Sequence, residues 1–472
     1  MMRVVCLPLD SRPCNALFPA QLARWCGGEC VMPLPEEMDD FTRPASFDAA
    51  RAFLERTLPR ADAAVIAMDR LCFGSLLASR EEGVSEAEAL ARLDWLAALR
   101  RRFPRLPFHS FSVIIRASIS TLASGDLAAY RAMTDYAQWS DIAEETGDAD
   151  TRQKALEARD RVPADVLRKY HAVRARNHAV NRRAVELTKA GAFDSLALLM
   201  EDAPAHGFHR GEQRALLRLA EGDGRIFLRN GADEGGAAAV MKALGGEPVE
   251  AEVVWLGCED GRFTARYEDR PFRENMASAL RYAGMRIVSG AARALAVACP
   301  PDGQQTECGQ FRDPEALAPM AAAVDALVAA GRQVYLLDLV SANGGAFALV
   351  DRLADPMSLC GYSAWNTASN ALGTAVAQLV SDARAGRVNL AFRNERFLDD
   401  LFYESCVRQA LNERLRALGD DPYRLADRPR AEALLRDSFA AIRHPLLNAL
   451  GPHAVSLPWA RTFEARVESL PQ

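Results

Sequence analysis

The chain has 472 residues, enough for one large domain with additions or for two or three ordinary ones. Hydrophobic residues make up 49%, so a sizeable core is expected and disorder is not. The net charge of −6, with Arg interleaved with acids, leaves no electrostatic footprint for nucleic acid, and no stretch reaches the roughly 18–20 apolar residues of a membrane span.

The opening run is interrupted by Pro8 and Asp10 and does not read as a signal peptide. Residues 3–9 are mostly apolar and predict a buried first strand ending at Asp10-Ser11-Arg12-Pro13. Helical pattern and loops follow to about 60, and residues 63–68 form a second strand that ends at Asp69. Helical periodicity covers roughly 85–102. A third strand, Phe111 to Ile115, ends at Arg116. The charged, Ala-rich stretch from about 124 to 190 predicts several inserted helices. The fourth strand, Leu196 to Met200, ends at Glu201-Asp202-Ala203-Pro204.

Residues 225–236 carry the fifth strand, Ile226 to Leu228. Gly231 permits a sharp turn, the adjacent acids Asp233 and Glu234 follow, and a helical run begins at Ala237. Acids at the carboxyl end of a buried strand sit where α/β enzymes keep their chemistry; acids in a first helical turn also simply complement the dipole. A sixth strand is Ala251 to Leu256, and Met285 to Val288 is a short extra one. The seventh, Leu295 to Cys299, is closed by Pro300-Pro301, and the eighth, Val334 to Leu337, ends at Asp338 and runs into Ser341-Ala342-Asn343-Gly344-Gly345. Helical runs at 273–283 and 314–330 lie between these strands. Beyond 345 the pattern is almost wholly helical, apart from a loop-like piece at 361–367.

Repeated strand–helix alternation implies parallel sheet covered on both faces. Eight strands in this span suit a (β/α)8-like barrel over 1–345, with the insertion at about 124–190 and a helical region, 346–472, closing the site. Two doubly wound parallel sheets in tandem would give the same pattern. The barrel is favoured because polar residues close nearly every strand. The ten Cys are scattered; Cys6, Cys258 and Cys299 lie in apolar runs and read as small core residues, which suggests a cytoplasmic protein with reduced thiols and no structural zinc.

If the strand ends share one face, Asp10, Asp69, Glu201, Asp202, Asp233, Glu234 and Asp338 ring one mouth, with Arg12, Arg80 and Arg116 as cationic partners. Three chemistries could use such a ring. The first is glycoside cleavage of a terminal sugar or oligosaccharide, with Glu234 as general acid and Asp233 orienting the acetamide of an N-acetylhexosamine. The second is a magnesium-type hydrolase with Asp10, Asp202 and Asp338 as oxygen ligands. The third is carbohydrate binding without turnover. Tyr362, Trp365, Asn366 and Asn370, close together after a Gly, favour a sugar, since an aromatic face stacks on a pyranose and amides bind its hydroxyls; Trp365 as core and Asn366 as a helix cap is the competing account, and Asn343 is a further candidate for substrate binding. His206 and His209 flank Gly207 and read as exposed loop residues. No phosphate loop, dinucleotide fingerprint or nucleophile elbow is present, so no cofactor and no resident metal are expected. Partners are confined to a small substrate, with room for a homo-oligomer.

The residues also resemble a known grouping. Leu9-Asp10-Ser11-Arg12-Pro13-Cys14-Asn15 looks like the opening signature of an uncharacterised bacterial family, domain of unknown function 4127. The blocks at 73–80, Glu201-Asp202-Ala203-Pro204 with Gly207 and Glu212, Gly231-Ala232-Asp233-Glu234, Asn343-Gly344, 361–367 and 457–464 are similar to later blocks of that family, in order along nearly the whole chain. Glu201 stands where the resemblance implies Asp, and Arg70 where it implies Met or Leu. The resemblance implies no activity.

Overall fold

The computed structural model describes residues 1–118 and 127–470. Residues 124–126, the expected start of the helical insertion, lie outside the described residues. By contacts the chain divides into two units, one of residues 1–11, 28–244 and 267–269, the other of 12–27, 245–266 and 270–472. The strands between 249 and 338 build a sheet with the strand at 361–363, across the boundary expected at 345.

The first unit is built on six strands: β1 (Arg3–Leu7), β2 (Glu29–Val31), β3 (Ala63–Ala67), β4 (Phe108–Ile114), β5 (Ser195–Met200) and β6 (Ile226–Asn230). They pair in the order β2-β1-β3-β4-β5-β6, every pair parallel. β3 and β5 are buried along their whole length, as continuous apolar runs in a sheet covered on both faces should be. Val5, Leu7 and Ile66 pack with Phe53, Leu54, Leu93 and Leu96 of the flanking helices Phe47–Thr57 and Glu86–Arg102. The second of these begins with a capping box between Ser85 and Glu88. The insertion is helical as expected, with helices Leu127–Thr146, Ala149–Asp160 and Ala164–Lys189.

The second unit contains β7 (Val249–Leu256), β8 (Met285–Ile287), β9 (Arg293–Ala298), β10 (Thr306–Glu307), β11 (Gln333–Asp338), β12 (Ser341–Ala342), β13 (Gly361–Ser363), β14 (His453–Ser456) and β15 (Arg466–Ser469). Its main sheet runs β13-β11-β9-β7-β8 and is again all parallel; β10 with β12, and β14 with β15, form small separate ladders. In both units the first strand lies one in from the edge, the second flanks it as the edge strand, and the chain then steps to the other side. Such a reversal leaves a crevice at the carboxyl ends, between β1 and β3 in one sheet and between β7 and β9 in the other.

The protein is therefore α/β, with parallel sheets. The strands expected in one barrel pair in two parallel sheets, of six and five strands. Two corrections follow at element level. The stretch from 361 is an edge strand, β13, and the C-terminal region carries the antiparallel β14–β15 pair rather than helix alone. Cys258 and Cys299, expected as separate reduced core thiols, are bonded to each other, with Cα atoms 5.7 Å apart. Among the described residues no helix is long and apolar enough to cross a membrane.

Candidate functional site

Parallel pairing puts the carboxyl ends of β1, β3, β4, β5 and β6 on one edge of the first sheet, with Asp10, Asp69, Arg116, Glu201, Asp202, Asp233 and Glu234 just beyond them. Asp10 is fully buried. Asp69 accepts the Val113 amide at 2.8 Å; burial raises its pKa to about 7, helped by the charge of Glu201 and opposed by the Val113 N–H and Arg176. Glu201 is paired with Arg80. Asp202, held at a left-handed φ of 37°, pairs with Arg116 at 2.9 Å, and Arg116 also donates to Ser118 Oγ at 2.8 Å. Burial works to lower the Arg116 pKa, but Asp202 and Glu201 outweigh it.

The edge therefore gathers Asp69, Arg80, Arg116, Glu201 and Asp202. A cavity of about 210 Å³ adjoins them, lined by Arg80, Ile115, Ser118, Lys169, Tyr170 and Arg174. Its cations are already matched: Arg80 with Glu201, Lys169 with Glu81, and Arg174 with Glu212 at 2.7 Å. Asp233 and Glu234 are buried. Glu234 forms an ion pair with Arg229, itself 1% exposed, and its other oxygen accepts the Ala232 amide at 2.9 Å. Burial raises the Glu234 pKa against the pull of Arg229. To protonate a leaving group Glu234 would have to abandon both partners.

The remaining expected residues, Arg12, Asp338, Asn343, Tyr362, Trp365 and Asn366, belong to the second unit. Asp338 is fully buried and holds its own loop, accepting from the amides of Val340 (3.2 Å) and Ala346 (2.7 Å) and from the Tyr362 hydroxyl (3.0 Å). Tyr362 is also buried, stacked on Phe397 with ring centroids 4.4 Å apart. These two brace the end of the sheet.

Arg12, Asn343, Trp365 and Asn366 do converge. They line a cleft of about 30 Å³ together with Cys14, Asp399, Glu404, Arg408, Phe463 and Glu464. Asn343 and Asn366 have φ of 61° and 55°, sparsely populated for residues with a side chain, and the Asn343 amide donates to the Asn366 carbonyl at 2.8 Å. Asn343 Nδ2 donates to Glu307 at 2.9 Å. Trp365 is half-buried, meets the edge of Phe18 and donates from Nε1 to Thr374 Oγ1 at 3.1 Å. The Trp459 ring has the Arg12 guanidinium 5.2 Å and the Arg461 guanidinium 4.8 Å from its centroid, and Arg461 is bidentate to Glu464.

Two acids of this cleft, Asp399 and Glu404, come from a π-helix, Phe397–Val407. Such wide turns occur frequently at functional sites. Arg396 pairs with Asp399 at 3.0 Å and Asp400 at 2.9 Å, and Glu404 pairs with Arg408. Burial raises the pKa of all three acids, Asp400 to about 7 and Glu404 well above the ordinary carboxylate range; Arg396 and Arg408 act against the rise, and Asp399 and Asp400 add to it at Glu404.

Asp399, Glu404 and Arg408 were not expected from sequence as site residues. A signal was present: Phe397-Leu398-Asp399-Asp400-Leu401-Phe402-Tyr403-Glu404 is apolar around the whole helix, which leaves its acids no solvated face. The histidine expectation also changes. His209 is buried, 2.9 Å from the Pro204 carbonyl, with its pKa lowered to about 4 by burial. His206, half-buried, lies 3.2 Å from Asp141 and 3.6 Å from Glu145; Arg214 reaches both acids at 3.2 Å, so their charge is met by a guanidinium.

The chain matches the family model described as Protein of unknown function (DUF4127) over residues 4–468 and belongs to that family. No curated protein matches it.

Proposed function

We propose, for a member of a family whose description assigns no activity, a hydrolase acting on a terminal sugar, with its site in the cleft of Arg12, Asn343, Trp365 and the π-helix acids. The observation that carries this is the gathering in one cleft of Trp365 and Asn343, suited to a sugar ring and its hydroxyls, with Glu404, whose pKa burial raises well above the ordinary carboxylate value against the pull of Arg408. Glu404 is the general acid. Asp399, whose proton Arg396 works to remove, is the second carboxyl group that glycoside cleavage requires. The general-acid role first considered for Glu234 passes to Glu404 because Glu404 lines the cleft with Trp365 and Asn343, whereas both oxygens of Glu234 are held by Arg229 and the Ala232 amide.

The size of the cleft favours a second reading. At about 30 Å³ it has room for one or two waters, so only the edge of a sugar enters without side-chain movement. That suits recognition without turnover. The two readings separate on a panel of aryl and alkyl glycosides with the parent protein and Glu404→Gln, folding checked by thermal melting. Hydrolysis predicts that Glu404→Gln loses about 10²–10⁴-fold on alkyl glycosides and much less on activated aryl ones. Sugar binding with no turnover by the parent would select the recognition reading; neither binding nor turnover would remove both.

A further inference from the structure

The pair Cys258–Cys299 sits at the strand-order reversal of the second sheet. Cys258 follows β7 by two residues and Cys299 follows β9 directly, and β7 and β9 are neighbours in register, Leu256 opposite Ala298. The ladder continues one step, with the Cys299 amide on the Leu256 carbonyl at 2.8 Å. The Cα separation of 5.7 Å lies inside the window for a disulfide. Gly257 makes the approach: its φ is 81°, and a Cβ there would stand 2.0 Å from Met320 Cε and 3.0 Å from the Cys299 carbonyl oxygen. Cys299 is fully buried and Cys258 half-buried, so an incoming thiol reaches the pair from the Cys258 side.

The two loops that leave these cysteines meet again. The loop after Cys258 runs to Arg266, and the loop after Cys299 runs to Gln305 and Glu307. The Arg266 amide donates to Gln305 Oε1 at 3.0 Å, and its guanidinium pairs with Glu307 at 2.8 Å. Gln305 donates to the Leu339 carbonyl at 2.9 Å, and Glu307 receives Asn343 Nδ2. The cysteines tie these loops at one end, and Glu307 ties them to a cleft residue at the other.

We propose that Cys258–Cys299 is a reversible thiol–disulfide site whose bond holds both loops, and through Glu307 positions Asn343. In reduction, the thiolate of a dithiol attacks Cys258 Sγ, forming a mixed disulfide and releasing the Cys299 thiolate. The second thiol of the reductant resolves the mixed disulfide, releasing the Cys258 thiolate and leaving a cyclic disulfide. In oxidation by a glutathione-type disulfide, the Cys258 thiolate displaces one glutathione thiol. Cys299 then displaces the second, so two protein thiols and one disulfide become one protein disulfide and two thiols. The importance of Asn343 rests on the proposed cleft; the chemistry of the pair does not.

The test uses the whole native protein, equilibrated either with glutathione disulfide or with dithiothreitol. Acid quench, denaturing alkylation and peptide mass then read the two cysteines, and hydrogen exchange reads residues 259–266 and 300–308. The expected result is a 258–299 cross-linked peptide after glutathione disulfide, two alkylated cysteines after dithiothreitol, and about tenfold or faster exchange in both loops in the reduced state. Cys258→Ser should show the reduced exchange rates under both conditions. Full alkylation of both cysteines after glutathione disulfide, or equal exchange in the two states, would overturn the proposal. Neither readout uses turnover, so a failed glycoside panel leaves this result standing.

Discussion

Asp69 opens the Met68–Phe73 helix with its carboxylate on the Val113 amide, and burial lifts its pKa from 3.8 to about 7. Between those two values the folded chain keeps a proton that the unfolded chain has released. Protonated Asp69 therefore contributes stability that is fully present below about pH 4 and lost as pH rises through about 7. Asp69→Asn keeps an acceptor for Val113 and removes the ionisation. Its melting temperature relative to the parent should rise from about pH 5 to about pH 7 and level off by about pH 8, measured by thermal unfolding across buffers; a gap that stays constant would show that Asp69 ionises at its ordinary pKa. The residue scale is also where the sequence was least informative. Adjacent acids after a strand look alike whether they face a ligand or a buried cation. Only the fold reveals that Arg229, two residues before Gly231 in the same stretch, turns in to neutralise Glu234. The π-helix acids carried the better clue, since an apolar setting on every side forces burial and burial shifts pKa.

At the scale of elements, the helix Gly235–Ala243 shows how small residues set a distance. It packs on β1, β3 and β4. A Cβ at Gly235 would stand 2.5 Å from Leu199 Cδ1 and 2.9 Å from Phe111 Cδ2, both in fully buried side chains. In an open helix Gly→Ala gains about 1 kcal/mol. Overpacking a rigid core costs about 1–3 kcal/mol, so the clash should prevail here. Gly235→Ala is expected to lower the urea midpoint; a raised midpoint would mean the helix can move off the sheet. Most strands of both sheets were legible from sequence, because a buried parallel strand is a continuous apolar run bounded by turn residues. The short edge strands Glu29–Val31 and Gly361–Ser363 were not, having too few residues to show a period. Strand order was out of reach as well. Pairing is a nonlocal choice, and alternating strands and helices fit a ring or two open sheets equally well.

Across the whole molecule the chain passes between its two units more than once, and residues 12–27 belong with the second unit. Phe18 packs edge-on against Phe392 at 5.3 Å, the Ser381 hydroxyl donates to the Leu22 carbonyl at 2.7 Å, Gln21 reaches Glu395 at 3.0 Å, and Trp25 Nε1 reaches the Arg387 carbonyl at 3.1 Å. A fragment of residues 245–472 lacks all of these and would expose the apolar surface they cover. It should be aggregation-prone or molten by near-ultraviolet circular dichroism, and addition of a peptide of residues 12–27 should restore near-ultraviolet signal; a cooperatively folded 245–472 fragment would contradict this. The same segment has a consequence for synthesis. Gln21 and Glu395 are 374 residues apart in the chain. At ribosomal speeds of about 5–20 residues per second, Phe18 and Leu22 emerge roughly 20–75 s before the residues that receive them. During that interval the nascent helix Phe18–Trp25 has no seat, which sets a lower bound on how soon the second unit can finish folding.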